Sequence, residues 1–283
     1  MSSPTVMAAL WPCIKNTAPS MKTVSITSVV NAFMSLHSAL ILKSYIGFMF
    51  FKSISSPNFG ERKGGAKPSL IIIHYTGMQT GEAALSRLCD PASEVSAHYF
   101  IDEKGKVLNL VPDDKRAWHA GASYWRGETD INSHSIGIEL VNKGHEFGYE
   151  DFPPAQIRAL VKLCRKLMKR HGIAAEGVLA HSDIAPGRKF DPGEKFPWQT
   201  LSRKGIGLWP APEEGDFSGE EDFDRLLLDF GYDPKVSPAE RLYAFYQHYV
   251  PLKIKGEGEV GQPCAHCAAR LRALIRMASS RKT

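Results

Sequence analysis

The sequence predicts an α/β fold in which a central mixed β-sheet is flanked by helices and followed by a small all-α domain. Short apolar runs of strand length lie at residues 69–77, 135–142 and 177–180, and such runs are typical of buried strands. Residues 154–170 carry apolar side chains at helical spacing. Beyond residue 218, three further segments have helical patterns. This order of elements predicts helices packed on a central sheet.

The strands are predicted from three stretches. "SLIIIHYTG" (69–77) is a continuous apolar run that ends in a glycine turn, as a buried central strand does. "SAHYFIDEKGKVLNLV" (96–111) alternates around a Lys-Gly pair, which predicts a hairpin. In "SIGIELVN" (135–142), the isoleucines and Leu140 share one face and Glu139 occupies the other.

The helices are predicted from their periodicity and caps. The apolar residues at helical spacing in 154–170 are Ile157, Leu160, Val161, Cys164, Leu167 and Met168. Gly172 would end this helix as a C-terminal cap. "EDFDRLLLDFGYD", "SPAERLYAFYQHYV" and "CAHCAARLRALIRMA" predict three more helices, of which the second begins at Ser237 with Pro238 behind it.

The chain is divided by these patterns into an N-terminal extension at 1–54, a domain at 55–210 and a helical domain at 211–283. The apolar segment 23–42 carries no charged residue and has the length of a membrane span, although polar residues dilute it. The extension is interpreted as a signal peptide, an anchor or a stretch upstream of the true start, and the sequence does not separate these alternatives. Membrane contact is expected only if segment 23–42 is retained.

Charge and cysteine content exclude several classes of function. The net charge is +5, but residues 1–60 hold four lysines and no acidic residue, so the remaining 31 basic and 30 acidic residues nearly balance. We therefore expect no nucleic-acid partner. The five cysteines are scattered and indicate no disulfide framework. Cys264 and Cys267 form a lone C-x-x-C without the second pair of a zinc finger.

Three polar side chains fall where strands are predicted to be buried: His74, Glu139 and His181. A buried charge or imidazole is costly unless it is paired or liganded. Each histidine alone could be a satisfied core imidazole, and Glu139 could lie on a strand whose second face is wet. Two histidines with the nearby Asp191 would supply three zinc ligands and leave a fourth position open, as a catalytic site requires.

Five motifs, in this order, carry a family resemblance: "IIIHYTG", "VSAHYFID", "RAWHAG", "SIGIELVN" and "HSDIAPGRKFDPG". Together they resemble the zinc-dependent N-acetylmuramoyl-L-alanine amidases of family 2, which are related in fold to the peptidoglycan-recognition proteins. The resemblance spans roughly residues 55–210. It implies the cell-wall amidase fold and hydrolysis of the amide between N-acetylmuramic acid and L-alanine.

The resemblance implies roles for individual residues. One zinc ion per chain would be held by His74, His181 and Asp191, with Glu139 and Lys189 as catalytic residues. His119, Trp118 and His98 lie in family-like motifs, where contact with substrate and simple packing are both open. The helical domain resembles, except at 254–267, the peptidoglycan-binding domain appended to some of these amidases; a small stabilising domain without a ligand is its alternative.

The expected partner is therefore peptidoglycan or a muropeptide, bound by a monomer. A recognition module that binds muropeptide without cutting it is the competing interpretation. It would lack a zinc ligand or the acid/base residue, and all are present here. For location, the bacterial envelope (periplasm) is favoured narrowly over the cytoplasm, where the enzyme would act on anhydro-muropeptide fragments.

Overall fold

The computed structural model describes residues 54–219, 222–256 and 259–279. Apart from Ile54, the N-terminal extension predicted for 1–54 lies outside these residues, and so does the apolar segment 23–42. Among the residues described, no helix combines the length and the apolar character needed to cross a bilayer.

The strands confirm the predicted sheet. They are β1 (Phe59–Glu61), β2 (Leu70–Tyr75), β3 (Tyr99–Ile101), β4 (Val107–Asn109), β5 (Lys115–Ala117), β6 (Ser135–Leu140), β7 (Val178–Ala180), β8 (Ile254–Gly256) and β9 (Glu259–Val260). Five of them form one mixed sheet in the order β4-β3-β6-β2-β7. The hairpin pair β3–β4 is antiparallel, whereas β3, β6, β2 and β7 run parallel. The pairs β1–β5 and β8–β9 form small antiparallel sheets.

The helices connect and cover this sheet. They are α1 (Gly81–Cys89), α2 (Ile131–His134), α3 (Gly144–Phe147), α4 (Pro154–His171), α5 (His181–Ile184), α6 (Trp198–Ser202), α7 (Phe223–Phe230), α8 (Pro238–Tyr249) and α9 (Ala265–Ser279). The helix predicted at 154–170 is α4, and Gly172 caps it in the left-handed conformation. The three helices predicted near the C-terminus are α7, α8 and α9.

One face of the sheet is packed against α4. Ile71 and Ile73 of β2 and the apolar residues of β6 meet Leu160 and Leu167 in one buried cluster. Both leucines are completely buried, and full burial of such a side chain contributes about 1.5–3 kcal/mol. Because successive side chains of a strand point to opposite faces, His74 and Glu139 are left on the other face.

The other face is covered by the C-terminal helices. Ile72 of β2 and Leu179 of β7 share a buried cluster with Phe230 of α7, Phe245 of α8 and Leu271 of α9. Residues on both sides of the predicted boundary at 210/211 therefore contribute to one hydrophobic cluster. The division at that boundary and peptidoglycan binding by the helical part stay predictions.

Candidate active site

The site lies at the carboxyl ends of the parallel strands. His74 is the penultimate residue of β2 and pairs in register with Glu139 of β6. His181 directly follows β7, the neighbour of β2 on its other side. Since the carboxyl ends of parallel strands meet at one edge of a sheet, the fold brings together three side chains that are far apart in sequence.

The loop after α5 returns Asp191 to His181. The backbone N–H of Ser182 donates to the Asp191 carbonyl over 3.0 Å. Arg188 fastens the same loop to the segment after Trp118, because its Nη2 donates to the carbonyl oxygens of Ala120 and Ala122, each over 2.6 Å. The peptide bond between Asp191 and Pro192 is cis. These contacts explain why a segment rich in proline and glycine has a defined course.

His74, His181 and Asp191 point one atom each at a common centre. Nδ1 of His74 lies 2.9 Å from Nδ1 of His181, and Oδ2 of Asp191 lies 3.0 Å from both nitrogens. All three side chains are buried. Among the residues described, these three form the one group of histidine, cysteine or acidic side chains placed to hold a metal ion.

The hydrogen bonds of the two Nε2 atoms determine the tautomer of each imidazole, and so whether its Nδ1 carries a lone pair. Nε2–H of His181 donates to the Ala120 carbonyl over 3.2 Å. Nε2 of His74 lies 3.1 Å from Nδ1 of His119, whose own Nε2 lies 3.2 Å from the Ser135 hydroxyl. That hydroxyl donates to the Ile131 carbonyl, so it accepts from Nε2–H of His119. Nδ1 of His119 is then unprotonated and accepts from Nε2–H of His74. Proton positions inferred from this network leave both Nδ1 atoms unprotonated.

Two facing lone pairs at 2.9 Å repel each other unless a cation lies between them. The residues therefore fit a divalent metal: two neutral imidazoles and one carboxylate are a ligand set of catalytic zinc. The Nε2 atom of each imidazole also makes the hydrogen bond that the non-ligating nitrogen of a metal-bound histidine regularly makes.

The ionisation states suit this ligand set. Burial, with a contribution from His181, lowers the pKa of His74 to about 4, so its imidazole is neutral at pH 7. Burial acts to raise the pKa of Asp191, but the charges and hydrogen bonds of the two histidines outweigh it and hold that pKa far below its ordinary value. Asp191 is therefore an anion at neutral pH.

Glu139 places a second functional group, a buried carboxyl, beside the three candidate metal ligands. Its Oε2 is buried and has no hydrogen-bond partner among the residues described. Burial raises its pKa well above the ordinary value, as does the charge of Asp191, while the positive charge of Lys189 opposes them. A carboxyl group with such a pKa and a free oxygen can accept a proton and give it up again.

A cavity of about 370 Å³ opens onto these groups. Its lining includes His74, Glu139, His181, Lys189, Asp191, Trp118 and His119. Other wall residues are the apolar Met78, Ala84 and Leu88 and the exposed cation Arg87. The structure thus brings seven of the eight predicted site residues to one cavity that is open to solvent.

His98 lies apart from that cavity. It is completely buried, its Nδ1 accepts from the Gly137 N–H over 3.0 Å, and its Nε2 lies 3.0 Å from the Lys115 carbonyl. Both ring nitrogens are used by the backbone. This position favours packing, the second alternative for His98, over contact with substrate.

Gly137 is a supporting residue that sequence reasoning missed. It lies on β6, two residues before Glu139, and a Cβ atom at this position would come within 2.4 Å of the His119 ring. A glycine inside a strand can mark such a close approach. The "SIGIEL" motif contained this signal, although its partner could not be identified from sequence.

Replacing Gly137 by alanine is expected to displace His119 and to weaken metal binding by roughly 10–100-fold, because His74 loses its outer hydrogen-bond partner. Competition with a chromophoric chelator measures this affinity. Gly60→Ala is the matched control, since Gly60 also lies in a strand but has open space around its Cβ position. Equal metal affinity of Gly137→Ala and wild type would show that His119 does not support the site.

A buried network joins the C-terminal helices to the segment that carries His181. Oδ2 of Asp183 accepts from the Ala180 N–H over 2.8 Å and from Nδ1 of His248 over 2.7 Å. Oδ1 of the same carboxylate accepts from the Tyr232 hydroxyl over 3.0 Å. Asp183 and His248 are almost completely buried. His248 of α8 therefore helps to hold the short helix that begins with His181.

Replacing His248 by alanine is expected to lower both stability and metal affinity. The substitution removes a hydrogen bond from the buried Asp183 carboxylate, which costs about 1–3 kcal/mol, and Asp183 then no longer fixes α5. Arg241→Ala is the control, because the buried Arg241 of α8 pairs with the partly exposed Asp224 of α7 and does not contact the site. Chemical denaturation and metal titration of the folded variants measure the two effects. If both variants lose stability but keep the metal affinity of the wild type, His248 contributes to packing only and does not support the metal site.

Comparison with known proteins agrees with this geometry. A profile of the N-acetylmuramoyl-L-alanine amidase family matches residues 64–194. The N-acetylmuramoyl-L-alanine amidase AmiD of Escherichia coli is 38% identical over 217 residues, which are 67% of this chain and 78% of AmiD. The 1,6-anhydro-N-acetylmuramyl-L-alanine amidase AmpD of Salmonella typhimurium is 35% identical over 164 residues, 52% of this chain and 86% of AmpD.

Solved structures show the same fold beyond the catalytic region. The structure of E. coli AmiD in complex with the substrate anhydro-N-acetylmuramic acid-L-Ala-D-gamma-Glu-L-Lys has a TM-score of 0.63 at 34% identity, covering 78% of this chain and 98% of AmiD. AmpDh3 of Pseudomonas aeruginosa has a TM-score of 0.65 at 30% identity, covering 81% of this chain and 98% of AmpDh3. The chain belongs to the N-acetylmuramoyl-L-alanine amidase family.

Proposed function

We propose that this chain hydrolyses the amide between N-acetylmuramic acid and L-alanine in peptidoglycan or muropeptides, and that it does so with zinc. The observation that carries the proposal is the convergence of His74, His181 and Asp191 beside the unpartnered Oε2 of Glu139. Both features face one cavity that is open to solvent.

Zinc would be held by Nδ1 of His74, Nδ1 of His181 and Oδ2 of Asp191. A zinc ion bound by three protein ligands acidifies water and polarises carbonyl oxygens at its open position. The protein contributes the rigidity of the site, because His74 lies within β2, His181 directly follows β7, and Asp191 is held by the Ser182–Asp191 backbone hydrogen bond. The outer contacts of both imidazoles keep their rings in the binding orientation.

Glu139 would act as the general base and then as the general acid. Its free oxygen accepts a proton from the attacking water and returns that proton to the departing amine of L-alanine. General acid–base catalysis of this kind contributes roughly 10²–10⁴-fold to the rate. Lys189 would stabilise the negative charge that develops on the scissile carbonyl oxygen.

The residues that line the cavity, together with the ligands bound by two relatives, support a muropeptide as substrate. AmiD was solved with an anhydro-N-acetylmuramic acid peptide, and AmpDh3 with an anhydromuramic pentapeptide. In this chain, Trp118 is half-buried at the cavity wall and would stack on a sugar face. The exposed Arg87 would meet carboxylates of the stem peptide. The ring nitrogens of His119 already contact His74 and Ser135. Contact between His119 and substrate stays a prediction.

The experiment is hydrolysis of a purified anhydro-muropeptide and of intact peptidoglycan by the full chain, with and without a chelator. We expect release of free peptide, its loss on chelation and its recovery on addition of zinc. Binding without cleavage in the zinc-loaded protein would contradict the proposal and favour a recognition module. The ratio of the two rates separates recycling of fragments from degradation of the mature wall.

For location, we propose the bacterial envelope, with the cytoplasm as the alternative, and for assembly we propose a monomer. The support is the appended helical region and the apolar segment 23–42 of the sequence. Cell fractionation with N-terminal sequencing of the isolated protein tests the location. Size-exclusion chromatography with light scattering tests the assembly.

A further inference from the structure

Two cysteines at the start of α9 form a contact that the amidase chemistry does not use. Sγ of Cys264 lies 2.9 Å from Sγ of Cys267. Cys264 is exposed, whereas Cys267 is buried with 1% of its surface accessible. None of the residues that line the cavity over His74 belongs to α9. The pair is therefore a separate feature of the helical region.

Their positions in the helix give the two sulfurs different chemistry. The N–H of Ala268 donates to the Cys264 carbonyl over 3.0 Å, so Cys264 is the N-cap and Cys267 is the third residue of the helix. An N-cap side chain receives hydrogen bonds from the first backbone N–H groups. A thiolate at this position is further stabilised by the positive end of the helix dipole.

The electrostatics follow this arrangement. A hydrogen bond from the Cys267 thiol lowers the pKa of Cys264, and so do the backbone N–H groups of Cys267 and His266 and the charge of Lys253. Burial raises the pKa of Cys267 instead. The exposed sulfur is thus the better nucleophile, and the buried one lies in contact with it as a thiol that can close the pair.

We propose that Cys264 and Cys267 are an oxidisable dithiol that closes to a disulfide on reaction with a low-molecular-weight disulfide. The Cys264 thiolate attacks one sulfur of that disulfide, a mixed disulfide forms, and one thiolate leaves. Cys267 then loses its proton and attacks Sγ of Cys264, which forms the intramolecular bond and releases the second thiolate. The protein loses two protons and two electrons in total, and the external disulfide is reduced to two thiols.

The first turn of α9 is already held against α8 in the reduced pair. The Tyr246 hydroxyl of α8 lies 3.8 Å from Sγ of Cys267, and Arg270, one turn further along α9, donates to the Tyr249 carbonyl over 2.7 Å. A disulfide between residues three apart closes only a short loop, so the gain in stability is small. The pair therefore acts as a reactive thiol site, which is a dithiol or a disulfide according to the ratio of disulfides to thiols in the surrounding solution.

The test equilibrates the full chain with oxidised and reduced glutathione at a series of ratios. After quenching with acid, denaturation and alkylation, peptide mass spectrometry identifies the modified cysteines. We expect one peptide with Cys264 and Cys267 joined, while Cys89 and Cys164 stay alkylated. Cys267→Ser should instead hold glutathione on Cys264, and Cys264→Ser should leave Cys267 reduced.

The kinetics supply the decisive control. In the reduced native chain, Cys264 should react with a thiol reagent at least ~10-fold faster than the half-buried Cys89. Cys164→Ser should change neither this rate nor closure, because Cys164 lies on the buried face of α4, within the core. Alkylation of both Cys264 and Cys267 in excess oxidised glutathione would overturn the proposal. So would undiminished modification of Cys267 in the Cys264→Ser variant.

Discussion

Glu139→Gln is expected to retain the metal and to lose hydrolysis almost completely. Glutamine keeps the shape of the side chain but cannot accept the proton of the attacking water, so kcat should fall by roughly 10²–10⁴-fold. The fold should be preserved, because Oε2 of Glu139 makes no hydrogen bond within the described chain that the substitution would break. Release of peptide from an anhydro-muropeptide measures turnover, and metal analysis of the same sample measures occupancy.

Glu146→Gln is the matched control for this substitution. Glu146 also lines the cavity, but its side chain is exposed. Its replacement removes one negative charge from the same region and should leave kcat nearly unchanged. Turnover by Glu139→Gln at the wild-type rate would contradict the assignment of the base, and loss of metal from this variant would show that Glu139 is a ligand instead.

Asp191→Ala is expected to abolish metal binding, and with it turnover. The substitution removes the one anionic ligand and leaves Nδ1 of His74 and Nδ1 of His181 only 2.9 Å apart. The loss of affinity should exceed the roughly 10–100-fold that removal of an outer hydrogen-bond partner costs. Chelator competition on the purified variant measures this loss, and recovery of activity at high zinc concentration reports any residual binding.

Asp113→Asn separates the effect on the metal from a general loss of stability. Asp113 is another carboxylate in contact with an imidazole, His171, over 2.9 Å, and it lies outside the cavity. Its replacement should lower the free energy of unfolding and leave the metal content unchanged. Equal metal content in Asp191→Ala and Asp113→Asn would refute the proposed ligand set.

The side chains that meet at the cavity could be singled out from the sequence because each interrupts a strong local pattern. His74 and His181 end apolar runs, and Glu139 interrupts an apolar strand, so burial alone marks them as requiring a partner. Asp191 was found through the loop composition and the family resemblance. The parallel order of β6, β2 and β7 then explains why these positions meet.

The supporting side chains could not be predicted, because they depend on contacts between distant elements. For His119 the sequence leaves contact with substrate and packing both open, and only the structure shows that its ring nitrogens contact His74 and Ser135. A role for His248 could not be predicted, because nothing in a helical pattern shows that α8 packs beside α5 and reaches Asp183. The short pair β8–β9 also lies in a stretch rich in glycine and charge that carries no strand pattern.

The most direct test of the account is X-ray absorption spectroscopy at the zinc edge, with metal analysis, on the full chain loaded with zinc. We predict one zinc ion per chain, bound by two imidazole nitrogens and a carboxylate oxygen, and loss of this spectrum in Asp191→Ala. A zinc ion bound by sulfur, as at Cys264 and Cys267, or a protein that hydrolyses muropeptide without any metal, would contradict it.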